Sequence, residues 1–264
     1  MKAAAPFSVI YEDDDIIAVN KASGISVGGD RWDESKERLD HMVSLVCLCQ
    51  KLFTVHRIDR ETSGLVLFAK NEAAHRSLSL AFEGRDVFKR YIAIVCGRPS
   101  WQETICDLPL IPNGNKQHLT IVDKYKGKKS LTRFTRICSA GNLSIVEAFP
   151  QTGRTHQIRV HAAALGYPVA CDSLYANQRF ANQRFDNLNR RSGSVAPVML
   201  SAIKRNWRGD PFDEKPLLAR LALHAAEIII PVVNDSNKNQ NRLSIQAPVP
   251  KDMAALIRQM ERLK

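Results

Sequence analysis

Asp59 stands between Arg57 and Arg60, ahead of a small polar turn, Thr62-Ser63-Gly64, and an apolar run, Leu65-Val66-Leu67-Phe68-Ala69. Folding does not require a carboxylate among cations. A nucleophilic carboxylate that must stay ionised does: a neighbouring cation lowers an Asp pKa by about 1–3 units and fixes its pose through paired hydrogen bonds. Arg57 and Arg60 are both candidate partners in sequence. Alternate residues of an extended chain face opposite ways, so Arg57 need not pair with Asp59. The plain alternative is an Asp closing a turn before a strand. A second block, Gln151-Thr152-Gly153-Arg154-Thr155-His156-Gln157-Ile158-Arg159-Val160-His161, runs from a turn into a helix with a cationic start, a place that attracts anions. His156 and Arg159 share a face there; an ordinary surface ion pair is the alternative. In a third block, Lys89-Arg90-Tyr91-Ile92-Ala93, Tyr91 has a ring to stack on a base and a hydroxyl to handle a proton. In a strand such a ring is more often half-buried core.

These residues need a scaffold. Ile16 to Lys21 reads as a buried strand entering the Ser23-Gly24 turn, and Leu65 to Ala69 as another. Glu72 to Phe82 reads as a helix with Ala73, Leu78, Ala81 and Phe82 on one face, stopped at Gly84. Arg90 to Gly97 is the clearest buried strand, and Leu143 to Phe149 is also strand-like. Thr155 is placed to cap a helix through Ile158, Val160, Ala163 and Leu165, closed by Gly166. Ala225 to Val233 reads as a later strand and Asp252 to Leu263 as a C-terminal helix. Strands outnumber helices without a βαβ rhythm, so the expected class is α+β with a mixed, largely antiparallel sheet. One domain is expected over 1–264, with a basic insertion at about 177–215. That insertion carries Arg179, Arg184, Arg190, Arg191, Lys204, Arg205, Arg208, Lys215 and Trp207, and a tandem Ala-Asn-Gln-Arg-Phe. It is either an RNA clamp or a solvated loop.

Lys and Arg outnumber Asp and Glu by 38 to 27, a net charge of +11 that points to a polyanionic partner, nucleic acid first. The six cysteines form no Cys-x-x-Cys pair and read as small buried hydrophobes of a reducing compartment. Cys47-x-Cys49 is a weak zinc signal. The acidic run Glu12 to Asp15 leaves no room for a secretory apolar core. No apolar run approaches the ~20 residues that span a bilayer. The expected location is the cytoplasm, or an organelle interior if a targeting segment was removed, without membrane contact.

Taken together, His56-Arg57-Ile58-Asp59, Thr62-Ser63-Gly64 and Gly153 to His161 resemble the catalytic motifs of the RluA family of pseudouridine synthases, with Ile58 where the family has Leu. Lys89 to Ala93 resembles its Lys-x-Tyr-x-Ala strand. Val19-Asn20-Lys21-Ala22-Ser23-Gly24 resembles its Asn-Lys-Pro-x-Gly turn. Asp172-Ser173-Leu174-Tyr175 resembles the segment after the catalytic helix, with Cys171 and Ala176 in place of glycines. Leu223-His224-Ala225 resembles a late motif. The resemblance implies a pseudouridine synthase fold with its central sheet flanked by helices and loops. It implies an enzyme that flips a uridine out of structured ribosomal or transfer RNA and isomerises it. Asp59 would be the catalytic carboxylate, Arg159 its partner and Tyr91 the residue against the base. Arg57 would be the wedge into the stack, Leu223 would line the uracil pocket, and Lys21, Arg154 and His156 would contact RNA. Asp59 would act either by attack on the ribose or by promoting elimination. Neither cofactor nor metal is implied, and a monomer is expected. The match begins near Ser8, so an N-terminal S4-type domain is not expected. A retaining glycoside or nucleoside hydrolase with Glu61 as second carboxylate is the chemical rival. A non-catalytic RNA-binding module would need the charge but not Asp59.

Overall fold

The computed structural model describes residues 5–29, 38–48, 51–112, 119–176, 196–204, 206–210, 212–232 and 241–263. Arg179, Arg184, Arg190, Arg191, Arg205 and the tandem repeat, expected to clamp RNA or form a solvated loop, lie outside the described residues. The elements in chain order are β1 (Phe7–Glu12), β2 (Ile16–Lys21), α1 (Leu39–Val46), β3 (Phe53–Thr54), β4 (Ser63–Ala69), α2 (Glu72–Glu83), β5 (Phe88–Cys96) and β6 (Glu103–Cys106). There follow β7 (Leu110–Pro112), β8 (Thr120–Val122), β9 (Thr132–Ala140), β10 (Leu143–Pro150), α3 (Gln157–Ala164), β11 (Leu223–Pro231), β12 (Arg242–Gln246) and α4 (Lys251–Arg262). The class is α+β, and the strand pairing is mixed but largely antiparallel. Among the described residues no helix is long and apolar enough to cross a membrane. The chain divides into two compact units, Met1–Arg90 with His224–Val249, and Tyr91–Leu223 with Pro250–Lys264.

In the first unit the strands run side by side in the order β1-β2-β4-β11, with β3 on β4 and β12 on β11. Every residue of β4 is buried, which is why its sequence is a continuous apolar run rather than an alternation. It lies antiparallel to β2 and parallel to β11, with His224 opposite Ser63 and Ala225 opposite Gly64. Gly64 has φ +115°, and a Cβ there would run into the Ala225 backbone, so only glycine lets the strands approach this closely. α2 starts at Asn71, whose side chain accepts the Ala74 N–H at 2.8 Å. Its buried face is Ala74, Leu78 and Ala81. Ala73, assigned to that face from sequence, is exposed; the stripe that packs follows the i, i+4, i+7 spacing from Ala74.

In the second unit the order is β5-β10-β9-β6, all antiparallel, with β7 and β8 as a separate pair. α4 buries Met253, Leu256 and Met260, and packs on β9. Each such side chain contributes about 1.5–3 kcal/mol. α3 is buried from Gln157 to Ala163, polar residues included, so its polar side chains must find partners inside the protein. Its start differs from the sequence expectation. The cap position is His156, not Thr155, and His156 sits at φ 55°, ψ 18° with no side-chain cap bond. His tolerates that left-handed region better than most residues.

Candidate active site

In the first unit Asp59 lies on the loop between β3 and β4, and nearly every neighbour in its motif works to hold that loop. His56 is stacked on Phe82, with ring centroids 5.0 Å apart. The Leu67 N–H of β4 donates to His56 Nε2 at 2.9 Å. An acceptor Nε2 requires the neutral ring, and burial pushes the His56 pKa down to about 3, helped by the nearby Lys89 charge. Lys89 itself is lowered to about 8 by burial. Ile58 is buried beneath the loop. The Thr62 N–H donates to the Asp59 carbonyl at 3.1 Å and closes the turn.

The far end of the loop is tied to the turn after β2. Lys21, only 1% exposed, donates from Nζ to the Ala22 and Arg60 carbonyls, each at 2.9 Å. The Gly24 N–H also donates to the Arg60 carbonyl (2.9 Å), and Arg60 Nε returns a bond to the Gly24 carbonyl (2.8 Å). Ser23 Oγ donates to the Glu61 carbonyl at 2.6 Å. The structure therefore places Lys21 inside, with its ammonium on the loop backbone, where the sequence reading had it on RNA. The cationic neighbours of Asp59, Arg57 and Arg60, both have exposed side chains; Arg60 Nε is bonded to the Gly24 carbonyl and lies 3.8 Å from Glu61 Oε1. Behind the loop, buried His224 joins two more segments: Ser63 Oγ lies 3.1 Å from its Nδ1 and the Ala247 carbonyl 3.2 Å from its Nε2.

Tyr91, Arg154, His156, Arg159 and Leu223 belong to the second unit. Tyr91 is partly buried on β5, opposite Ala148 of β10. Leu223 is 2% exposed at the start of β11. Arg159, 3% exposed, is gripped by fully buried Asp172: its Nε and Nη2 donate to the two carboxylate oxygens, each at 2.8 Å. Asp172 Oδ1 also accepts the N–H groups of Leu174 and Tyr175, at 2.9 and 3.1 Å. The Arg159 guanidinium lies over the Tyr175 ring, 5.1 Å from its centroid. The Tyr175 hydroxyl accepts the Thr120 N–H and lies 2.8 Å from His156 Nδ1. His156 and Arg159, expected to share a helix face, thus meet through Tyr175. The approach loop is pinned by Gln157, whose Oε1 accepts Thr152 Oγ1–H (2.7 Å) and Arg154 N–H (3.1 Å). Arg154 Nε donates to the Lys129 carbonyl at 3.3 Å. Among the described residues no three His, Cys, Asp or Glu side chains converge as a metal site needs. Cys49 of the Cys47-x-Cys49 pair lies outside them.

Residues 15–164 match the RNA pseudouridylate synthase family. The chain is 41% identical to the dual-specificity RNA pseudouridine synthase RluA of Vibrio cholerae, over 64% of this chain and 68% of that protein. It is 34% identical to the ribosomal large subunit pseudouridine synthase D of Zymomonas mobilis, over 67% of this chain and 58% of that one. The chain belongs to the RluA family of pseudouridine synthases. Its fold is that of human RNA pseudouridylate synthase domain containing 4, with a TM-score of 0.67 at 19% identity, covering 96% of this chain and 92% of that one. The chain spans somewhat over half the length of several curated relatives, 58% for the Zymomonas protein and 57% for the Haemophilus ducreyi synthase C.

Within the family's motifs, Asp172 and Tyr175 are the residues that sequence reasoning left without a role. Their segment was visible as a motif, but only coordinates reveal that it seats Arg159. Cys171, standing where the family has glycine, adopts φ 57°, the backbone region that makes glycine usual there.

Proposed function

We propose that this protein is an RNA pseudouridine synthase. The observation that carries the reading is the Asp59 loop. His56, Ile58, Lys21, Ser23 and Arg60 are all spent on fixing the backbone that carries the Asp59 carboxylate and, two residues before it, the exposed side chain of Arg57. A loop fixed this way presents its carboxylate with little reorganisation at the moment of reaction. The reaction is an isomerisation. The bond between uracil N1 and ribose C1′ breaks, the base turns, and a bond forms between C5 and C1′. The C5 proton leaves and N1 gains one, so nothing is oxidised or reduced.

In this reading Asp59 acts at the ribose and Arg159 is its cationic partner. The Asp172 grip uses two of the five guanidinium donors and sets the orientation of the rest. Tyr91 lies against the base, Leu223 lines the uracil pocket, and Arg57 enters the gap left by the flipped nucleotide, which costs a few kcal/mol to open. Arg154 and His156 contact RNA. The substrate class is structured ribosomal or transfer RNA: the relatives are named for the ribosomal large subunit and for dual RNA specificity. The net charge of +11 suits such a partner. The same reading has the protein working as a monomer in the cytoplasm.

The test is Asp59→Asn, which keeps the shape and removes the ionised oxygen. Release of tritium from C5-labelled uridine in RNA should fall to background, with RNA affinity kept within about tenfold, or 1.4 kcal/mol. Turnover by a preparation checked for deamidation would remove Asp59 from its role. Release of free uracil by the unsubstituted protein would make it a hydrolase instead.

A further inference from the structure

The turn between β8 and β9 carries Asp123-Lys124-Tyr125-Lys126-Gly127-Lys128-Lys129. All four lysines are exposed, and none makes a salt bridge among the described residues. The one acid, Asp123, is turned to the backbone: its Oδ1 accepts the Tyr125 and Lys126 N–H groups at 2.8 and 2.9 Å. Those bonds are the main reason its pKa is lowered. At the tip Tyr125 is 97% exposed, and no hydrogen bond or ring contact engages its side chain among the described residues. Large aromatic rings are seldom left this open, since covering one removes much apolar surface from water.

The turn is nonetheless rigidly built. The Asp123 N–H donates to the Pro109 carbonyl at 3.0 Å, and Leu110 and Lys128 exchange backbone bonds at 3.0 and 2.8 Å. A Cβ on Gly127 would collide with the Asp123 carbonyl and with Pro109, so glycine is required at that point. The base of the turn is joined to the family motif: the Lys129 carbonyl is the one that takes Arg154 Nε.

A preformed arm that displays four unpaired ammonium groups around an uncovered aromatic face has the chemistry of a single-stranded nucleic-acid contact, in which cations track phosphates and the ring stacks on a base. We infer that the 123–129 turn is a second RNA contact, which holds an unpaired nucleotide of the substrate, separate from the target uridine, on Tyr125. The inference rests on the proposed RNA activity. It extends it, because Tyr125 and the four lysines lie outside every motif read from the sequence.

The test is equilibrium binding of a structured RNA, with a single-stranded flank, to the full chain in three forms: unsubstituted, Tyr125→Ala, and Lys124, Lys126, Lys128 and Lys129 all changed to Ala. Each phosphate neutralised on a single strand contributes about −0.7 to the slope of log affinity against log salt. With all four lysines engaged, the unsubstituted protein should lose about 50-fold more affinity than the fourfold variant between 50 and 200 mM salt. Loss of one stacked base should weaken binding by about 5- to 150-fold in Tyr125→Ala, and Tyr125→Phe should restore it, since stacking does not need the hydroxyl. Parallel salt slopes with unchanged affinities would overturn the inference. So would intact binding of naked RNA with lost binding of an assembled ribonucleoprotein, which would assign the turn to a protein partner. Pseudouridine formation is followed in parallel in the unsubstituted protein. Its absence would defeat the activity, while the binding contrast would still report on the turn.

Discussion

Protonating His56 should loosen the loop that carries Asp59, and the size of the effect follows from its surroundings. Its Nε2 accepts the Leu67 N–H and its folded pKa is about 3, against 6.5 for an unhindered histidine. At intermediate pH the unfolded chain therefore binds a proton that the folded chain refuses. The contribution of this residue is fully present above pH 6.5 and is lost as pH falls from there towards 3. Linkage puts the loss at about 2 kcal/mol by pH 5, and at about 5 kcal/mol over the whole window. His56→Gln separates this effect from every other titration: the amide oxygen can still accept the Leu67 N–H but carries no titrating proton. Burial lowers His161 as well, but it is common to both proteins and cancels. Urea unfolding of both at pH 8 and pH 5 should show the variant losing about 2 kcal/mol less than the unsubstituted protein between the two conditions. Ring NMR should show His56 neutral at pH 5. A His56 that titrates near 6.5, or two proteins with the same pH dependence, would refute the reasoning.

Asp172→Ala strands a buried guanidinium and removes the acceptor of two N–H groups. It should cost about 3–5 kcal/mol in thermal or denaturant unfolding. Arg159→Ala in that background should add little, since the two act as one unit, and either change should lower pseudouridine formation. Gly64→Ala should destabilise the first unit, with about 1–3 kcal/mol from a left-handed alanine and a similar amount from collision with the Ala225 backbone, measured by the same unfolding.

What the sequence made legible followed the physics of burial. β2 and β4 were readable because both faces are covered and carry apolar runs, and β5 through its apolar second half, where Ala93, Ile94 and Val95 are buried. β9, Thr-Arg-Phe-Thr-Arg-Ile-Cys-Ser-Ala, was not, because a register shift between Arg136 and Cys138 breaks its alternation, leaving Ile137 exposed while small or polar Thr132, Cys138 and Ala140 are buried. The short edge strand β6, with an exposed Glu103 and Ile105, gave still less signal. At the site, the motifs named candidate residues but could not tell what each side chain touches. Lys21 illustrates the difference. Its charge suggested a phosphate, yet its ammonium meets the carbonyl of Arg60, 39 positions away, a pairing that exists only once β2 and β4 are side by side. The grip of Asp172 on Arg159 was hidden for the same reason: spacing along the chain does not tell which acid follows a buried arginine into the core.

This division explains why so long a motif surrounds a single carboxylate. A reactive Asp needs only its own side chain, but holding it needs a stacked imidazole that accepts an N–H, a buried isoleucine, a lysine on carbonyls, and a glycine where two strands touch. Each of these contacts admits only one or two residue types, because the alternatives leave a buried donor unpaired or force backbone apart. The same holds for the second motif, where Gln157 pins the approach loop and Tyr175 joins His156 to Arg159. Arg57, with its side chain exposed, takes part in none of the loop-fixing contacts named above among the described residues. In the proposed reading, an exposed arginine beside a loop held this still is accounted for by the RNA that binds there.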